Sequence, residues 1–281
     1  MSTATKIASN TIWQILGKIV GTLASGFALI LLTRQLSQTE FGYYGTALSL
    51  TQFAAVLCDL GLYVVCLREI SSQPEKEEKI FNNFLSLRVF SAFVILGLST
   101  LIIFLLPYPL VVKQTSLLFA FGFLFSSIVQ LLTTFFQKRL SMELVAIAEA
   151  VGKVAMLIII YLFLKINLAL PWLAIASIFA SGISMIWLFV KIKHQLKISV
   201  TANLIEWKSI LKKTWPVTLG VLLNLVYFRA DSIILSLVKP AVDVAIYTAP
   251  YKLLEIIVTF PHMFMGLIMP LTAIAWVNKD Y

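Results

Sequence analysis

Charged side chains are scarce in this sequence: Asp, Glu, Lys and Arg together fill only 12% of its 281 positions, and there are just 2 histidines. Hydrophobic residues fill 60%, well above the roughly 45–50% of a soluble domain, and the mean hydropathy is +0.95. That balance excludes a soluble fold and describes an all-α polytopic membrane protein. Cysteine is nearly absent as well. Cys58 and Cys66 share one apolar stretch, where a free thiol behaves as a small hydrophobe, so neither a disulfide nor a metal framework is expected. The formal charge of +9 is no sign of a nucleic-acid partner, because the basic residues fall between apolar runs instead of forming one patch. Anionic lipid suits that pattern better.

Long polar connections are missing too. On one side of the chain's apolar runs the connections 34–41, 107–114, 165–168 and 239–243 are too short to hold a folded active-site domain. With no catalytic constellation and no cofactor motif, a glycosyltransferase or polymerase activity gives way to transport. The N-terminus is not a signal peptide either: the apolar run behind MSTATKIASN reaches about Leu32, beyond the ~7–15 residues of a cleavable apolar region.

What is present is a series of runs near the ~20 residues needed to span a hydrocarbon core. Eight spans are expected, at about 11–33, 42–66, 84–106, 115–137, 143–164, 169–190, 214–238 and 244–270. A β-barrel would need short alternating segments, and these runs do not alternate. Thirteen of the 22 basic residues fall at the N-terminus, in even-numbered loops or after the last span. Four (Arg34, Lys113, Lys165 and Lys239) fall on the other side, which places both ends of the chain on the cytoplasmic side.

The longest loop divides the spans into a six-helix lobe at 1–198, a basic amphipathic linker at 199–213 and a partial second lobe at 214–281. In NLIEWKSILKKTW, Asn203 and Glu206 have capping-box-like spacing, and Leu204, Trp207, Leu211 and Trp215 share a face expected to lie on the inner leaflet. Across that divide EFGYYGTA at 40–47 matches DVAIYTAP at 243–250 in kind, with Tyr44 against Tyr247. Such parallel repeats are a common transporter plan. Glycines 17, 21 and 26 and prolines 250, 261 and 270 mark expected flexing points, while His262 and His194 read as packing and solvated residues.

Charges inside the spans cost at least ~2.5–3.5 kcal/mol each and usually face a bundle interior or a wet cavity. Five are basic: Lys18, Arg88, Lys153, Arg229 and Lys252. Four acids shadow them: Asp59, Glu149, Asp231 and Glu255. Lys18 and Asp59 lie at similar depth, so they can pair or line one chamber. Glu149 and Lys153 are four apart with the acid first, which suits an intrahelical pair. Arg229 and Asp231, two apart, point to different faces and need separate partners; Asp231 can answer Lys252, which also shares a face with Glu255. The basic set is expected to bind an anionic substrate, with the acids as charge partners or ion-coupling groups. The competing account makes all of them salt bridges that hold helices in register.

Residues 10–62 and REIS at 68–71, with YFRADSIILSL and IYTAPYKLLEI at 227–256, resemble polysaccharide-unit (Wzx-like) flippases of the multidrug/oligosaccharidyl-lipid/polysaccharide exporter superfamily. The resemblance implies two six-helix lobes around a cavity and alternating access that carries an undecaprenyl-pyrophosphate-linked oligosaccharide to the outer leaflet for surface polysaccharide synthesis. It also implies that Lys18, Arg229 and Lys252 receive the pyrophosphate, and that a polysaccharide polymerase and glycosyltransferases work alongside. Family members usually have twelve to fourteen helices, so the chain reads as C-terminally truncated. Two other readings stay open: a cation-coupled drug or metabolite exporter with an acid-dominated site around Asp59 or Asp231, and a non-transporting remnant or scaffold.

Overall fold

The computed structural model describes residues 3–255, 257 and 258, without the side chains of residues 3–11, Leu225, Phe228 and Arg229. The described residues are helical throughout their long elements and include no strand, as expected for a polytopic membrane protein. In chain order they are α1 (Thr3–Gln35), α2 (Gln38–Leu57), α3 (Leu62–Ser72), α4 (Glu77–Leu105), α5 (Leu110–Lys138), α6 (Met142–Lys165), α7 (Leu170–Ile192) and α8 (Leu204–Val238). A single 3₁₀ turn, Pro74–Lys76, leads into α4, and a ninth helix, α9, covers 241–255. Six of the expected spans are long and apolar enough to cross a bilayer, from Ile12–Gln35 to Leu170–Ile192. Pro261, His262 and Pro270 lie outside the described residues.

Helices reverse direction at tight, locally satisfied turns. Between α1 and α2, Ser37 Oγ accepts from the Glu40 amide at 3.3 Å while Glu40 Oε2 accepts from the Ser37 amide at 2.9 Å, a reciprocal cap that satisfies two orphan donors. Asn203 caps α8 in the expected way, its Oδ1 accepting from the amides of Ile205 and Glu206. Glu206, however, does not complete a capping box; its carboxylate reaches Lys79 at 2.9 Å.

The second expected span, 42–66, is not one helix. Residues 58–61 form a turn between α2 and α3, with Leu60 at φ 47° and Gly61 at φ 68°. Glycine carries no Cβ to strain that left-handed backbone, and a Cβ at position 61 would sit 2.8 Å from the Val217 side chain. A broken helix inside a membrane frees carbonyls that must find donors. Here Thr218 Oγ1 donates to Leu60 O at 2.7 Å and Arg88 Nη1 donates to Cys58 O at 2.8 Å.

Buried apolar side chains gather at the two ends of the bundle. At the end rich in basic residues, Phe81, Leu132, Phe135, Phe136, Leu188 and Ile192 pack from α4, α5 and α7. At the other end Leu32, Phe41, Ile160, Leu170, Leu173 and Ala245 do so. A cavity opens beside the second of these clusters, and Leu32, Phe41, Ile160 and Leu173 belong to its lining.

The linker is bound to the first lobe. Along 197–201 it follows α4: Asn82 Nδ2 donates to Lys197 O at 2.9 Å, and the amides of Ser199 and Thr201 donate to Asn82 Oδ1 and Ser86 Oγ. From Leu204 a single helix, α8, runs through Pro216 to Val238. The expected lipid-facing stripe is divided as a result. Leu204, Leu211 and Trp215 are exposed, but Trp207 is 8% exposed and packs with Ile210 into the lobe, its ring 5.2 Å from that of Phe90. Burying this apolar surface against Phe90 and the core places Trp207 inside the protein instead of in lipid. Ion pairs tie the same end together: Lys213 to Glu69, and both Lys138 and Arg139 to Glu77.

Candidate functional site

The cavity has a volume of about 570 Å³ and lies between α1, α2, α5, α6, α7 and α9. That is within the roughly 300–1,000 Å³ range of small-molecule sites. Gly17 makes its charged wall possible. A Cβ at position 17 would lie 2.7 Å from Ala146 Cβ, so α1 and α6 approach this closely only with glycine there. The next residue, Lys18, is thereby brought to the same wall as Glu149 and Lys153. Lys153 leans across α1 at Gly21, whose Cβ would stand 3.6 Å from Lys153 Cγ.

Lys18, Glu149 and Lys153 all line the cavity, and none of the three is packed away from its open space. Lys153 and Lys18 are the cations that act on Glu149, yet among the described residues none of the three closes a direct ion pair. The expected Glu149–Lys153 pair is thus a shared face without contact. Across the cavity, α9 contributes Lys252 and Glu255, joined at 2.8 Å and 16% and 30% exposed. Three lysines and two glutamates therefore face one space.

The remaining expected residues stand elsewhere. Arg88 is 1% exposed and does not line the cavity, which corrects its assignment to a substrate-facing set. Its Nη1 donates to Asp59 Oδ1 and to Cys58 O, both at 2.8 Å, its Nε donates to Ser127 O at 3.1 Å, and its Nη2 donates to Gln130 Oε1. The guanidinium is consumed in closing the α2–α3 break, and Asp59 is its counterion, not that of Lys18. Asp231 is also outside the lining; it accepts from the Tyr247 hydroxyl and from the amide of Ser232, while Lys252 takes Glu255. The side chain of Arg229 lies outside the described residues.

Polar uncharged residues also stand among the apolar ones of the lining, and reasoning from charge alone passed over them. Ser177, Ser181 and Ser184 recur at helical spacing along α7, Ser126 faces in from α5, and Gln52 and Tyr44 from α2. The 177–181–184 spacing was the visible signal, hidden by the strong overall apolarity of α7. Ser177 and Ser184 donate to the carbonyls of Ala174 and Ala180, which keeps these hydroxyls compatible with a helix interior. Lysines offset by two glutamates, with serine hydroxyls and the Gln52 amide in the same lining, can hold a polar anion reversibly. Among the described residues, no group of three His, Cys, Asp or Glu could hold a metal ion.

A polytopic helical bundle around a charged, water-accessible cavity is the architecture of a transporter-type membrane protein. The family described as polysaccharide biosynthesis protein matches residues 7–273, and the chain belongs to it; that family covers the Wzx-like flippases and related exporters. No curated protein and no solved structure matches the chain.

Proposed function

We propose that the protein moves a lipid-pyrophosphate-linked oligosaccharide across a bacterial cytoplasmic membrane, from the cytoplasmic to the outer leaflet, by alternating access, with its N-terminus in the cytoplasm. The observation that carries this reading is the gathering of Lys18, Lys153 and Lys252 around one cavity whose largely apolar lining also holds Glu149, Glu255, Gln52 and several serines. An ionised headgroup does not cross hydrocarbon unaided, since moving an isolated charge into a low-dielectric medium costs tens of kcal/mol by Born solvation. Lysines in a wet cavity replace part of that lost hydration. The two glutamates weaken the hold on the anion, so that it can leave.

The family membership supports a role in polysaccharide synthesis, and a polymerase and glycosyltransferases are the partners such a role would need. The alternative of a cation-coupled drug exporter with its acids at Asp59 or Asp231 is disfavoured, because Asp59 is bound to Arg88 and Asp231 to Tyr247. Reconstituting the chain in vesicles that carry a fluorescent undecaprenyl-pyrophosphate oligosaccharide tests the proposal. Headgroup exposure at the far leaflet should accelerate over protein-free vesicles, and the Lys18→Ala/Lys153→Ala variant should lose most of the gain. A wild-type rate equal to that of empty vesicles would sink the substrate assignment.

A further inference from the structure

On α2, residues Gly42, Gly45, Ser49 and Gln52 recur at spacings of three and four, so they share one face. At the end of the bundle poor in basic residues this face meets α9 backbone to backbone. A Cβ on Gly42 would run into the carbonyl of Ala241, and one on Gly45 would lie 2.9 Å from Thr248 Cγ2 and 3.0 Å from its Oγ1. The Gly45–Thr248 contact joins the two halves of the internal repeat, 40–47 and 243–250, and Ala241 lies just ahead of the second half. At the same end Tyr108 and Ser236 share a hydrogen bond of 2.8 Å, which ties the α4–α5 turn to α8. Deeper along the same two helices Gln52, Lys252 and Glu255 line the cavity, so the α2–α9 contact is its roof.

That roof contains a defect. Several buried threonines of the bundle donate to the carbonyl four residues earlier, as Thr51 does to Ala47 on α2 and Thr115 to Val111 and Thr133 to Val129 on α5. Thr248 is 5% exposed and its Oγ1 has no hydrogen-bond partner among the described residues. The same holds for Gln52 Oε1, two turns deeper on the α2 face. A buried polar atom without a partner penalises the state that buries it, and water admitted by separation of the helices would relieve the penalty. Glycine packing favours the closed roof; the stranded hydroxyl opposes it.

We infer that the Gly45–Thr248 contact is a gate at the end of the cavity away from the basic loops, held shut by glycine packing and biased toward opening by the buried Thr248 hydroxyl. This rests on the carrier reading, and it assigns to the two repeat segments the surfaces that must separate. Thr248→Val keeps the shape and removes the hydroxyl, so it strengthens closure; Gly45→Leu cannot fit the closed contact, so it prevents it.

The test uses the full chain with a Ser181→Cys reporter in the cavity and a membrane-impermeant thiol reagent added to either side of oriented vesicles. Labelling from the side opposite the basic loops should fall at least about fivefold with Thr248→Val and rise with Gly45→Leu. The pair Gly45→Cys/Thr248→Cys supplies an arm that depends only on the native contact: the Cβ atoms would stand 3.2 Å apart, close to disulfide range. Its cross-link should form on oxidation, stop labelling from that side and be reversed by reductant. Failure of the cross-link to form, continued labelling through it, or an unchanged rate with Thr248→Val would overturn the gate. Labelling does not depend on the cargo, so a working gate without oligosaccharide movement would sink the substrate reading alone.

Discussion

Arg88 with Asp59 and Lys18 with Glu149 and Lys153 are two sets of charges of the same kind inside the same bundle, and they have opposite fates. Arg88 donates four hydrogen bonds, to one carboxylate, two backbone carbonyls and one amide, and is closed off from water. Lys18, Glu149 and Lys153 lean over a cavity, remain exposed and close no ion pair among themselves. A saturated charge holds a fold together; an unsaturated one in a wet cavity is available to a ligand. The competing salt-bridge account therefore describes Arg88 and Asp59, while Lys18, Glu149 and Lys153 line the cavity without such a pair.

The sharpest break of this comparison is Arg88→Met. It strands Asp59 and the Cys58 carbonyl, and a broken buried pair costs about 3–5 kcal/mol, so the midpoint of thermal unfolding in detergent should fall steeply or folded protein should be lost. Adding Asp59→Leu to it should recover part of the loss. Next comes Lys18→Ala/Lys153→Ala, which should lower headgroup movement by about 10–100-fold, the scale of 1.4–2.7 kcal/mol, while the unfolding midpoint stays near that of the wild type. Gly61→Ala should cost about 1–2 kcal/mol from the left-handed backbone alone, with the Val217 contact added, read from the same unfolding curve. The smallest effect belongs to Lys79→Ala, which removes a largely exposed pair with Glu206 and should change stability by less than about 1 kcal/mol.

Much of this was legible in the sequence. The long apolar runs mark the first six spans, because a bilayer tolerates only helices of about that length. The Asn203 cap could be read from residue type and spacing. Depth along the helices matched Lys18 with Asp59, whereas the structure gives Asp59 to Arg88 and places Lys18 with Glu149, Lys153, Lys252 and Glu255 around one space. What depth could not supply was orientation about the helix axis and long-range partners. Arg88 lies 29 residues from Asp59 and 39 from Ser127, and no local pattern announces those contacts. The α2–α3 break was hidden because apolarity continues through 58–61, with only Asp59 and Gly61 as marks. Trp207 read as lipid-facing because its helical face is continuous with exposed Leu211 and Trp215, whereas its burial depends on Phe90 in α4.

The most direct test of the distinction measures two quantities on the same vesicles for two variants: the unfolding midpoint and the rate at which a lipid-pyrophosphate oligosaccharide changes leaflet. For Lys18→Ala/Lys153→Ala the account predicts lost movement at an unchanged midpoint, and for Arg88→Met a lowered midpoint with movement reduced only as far as folded protein is lost. Full movement by the folded double-lysine variant would contradict it.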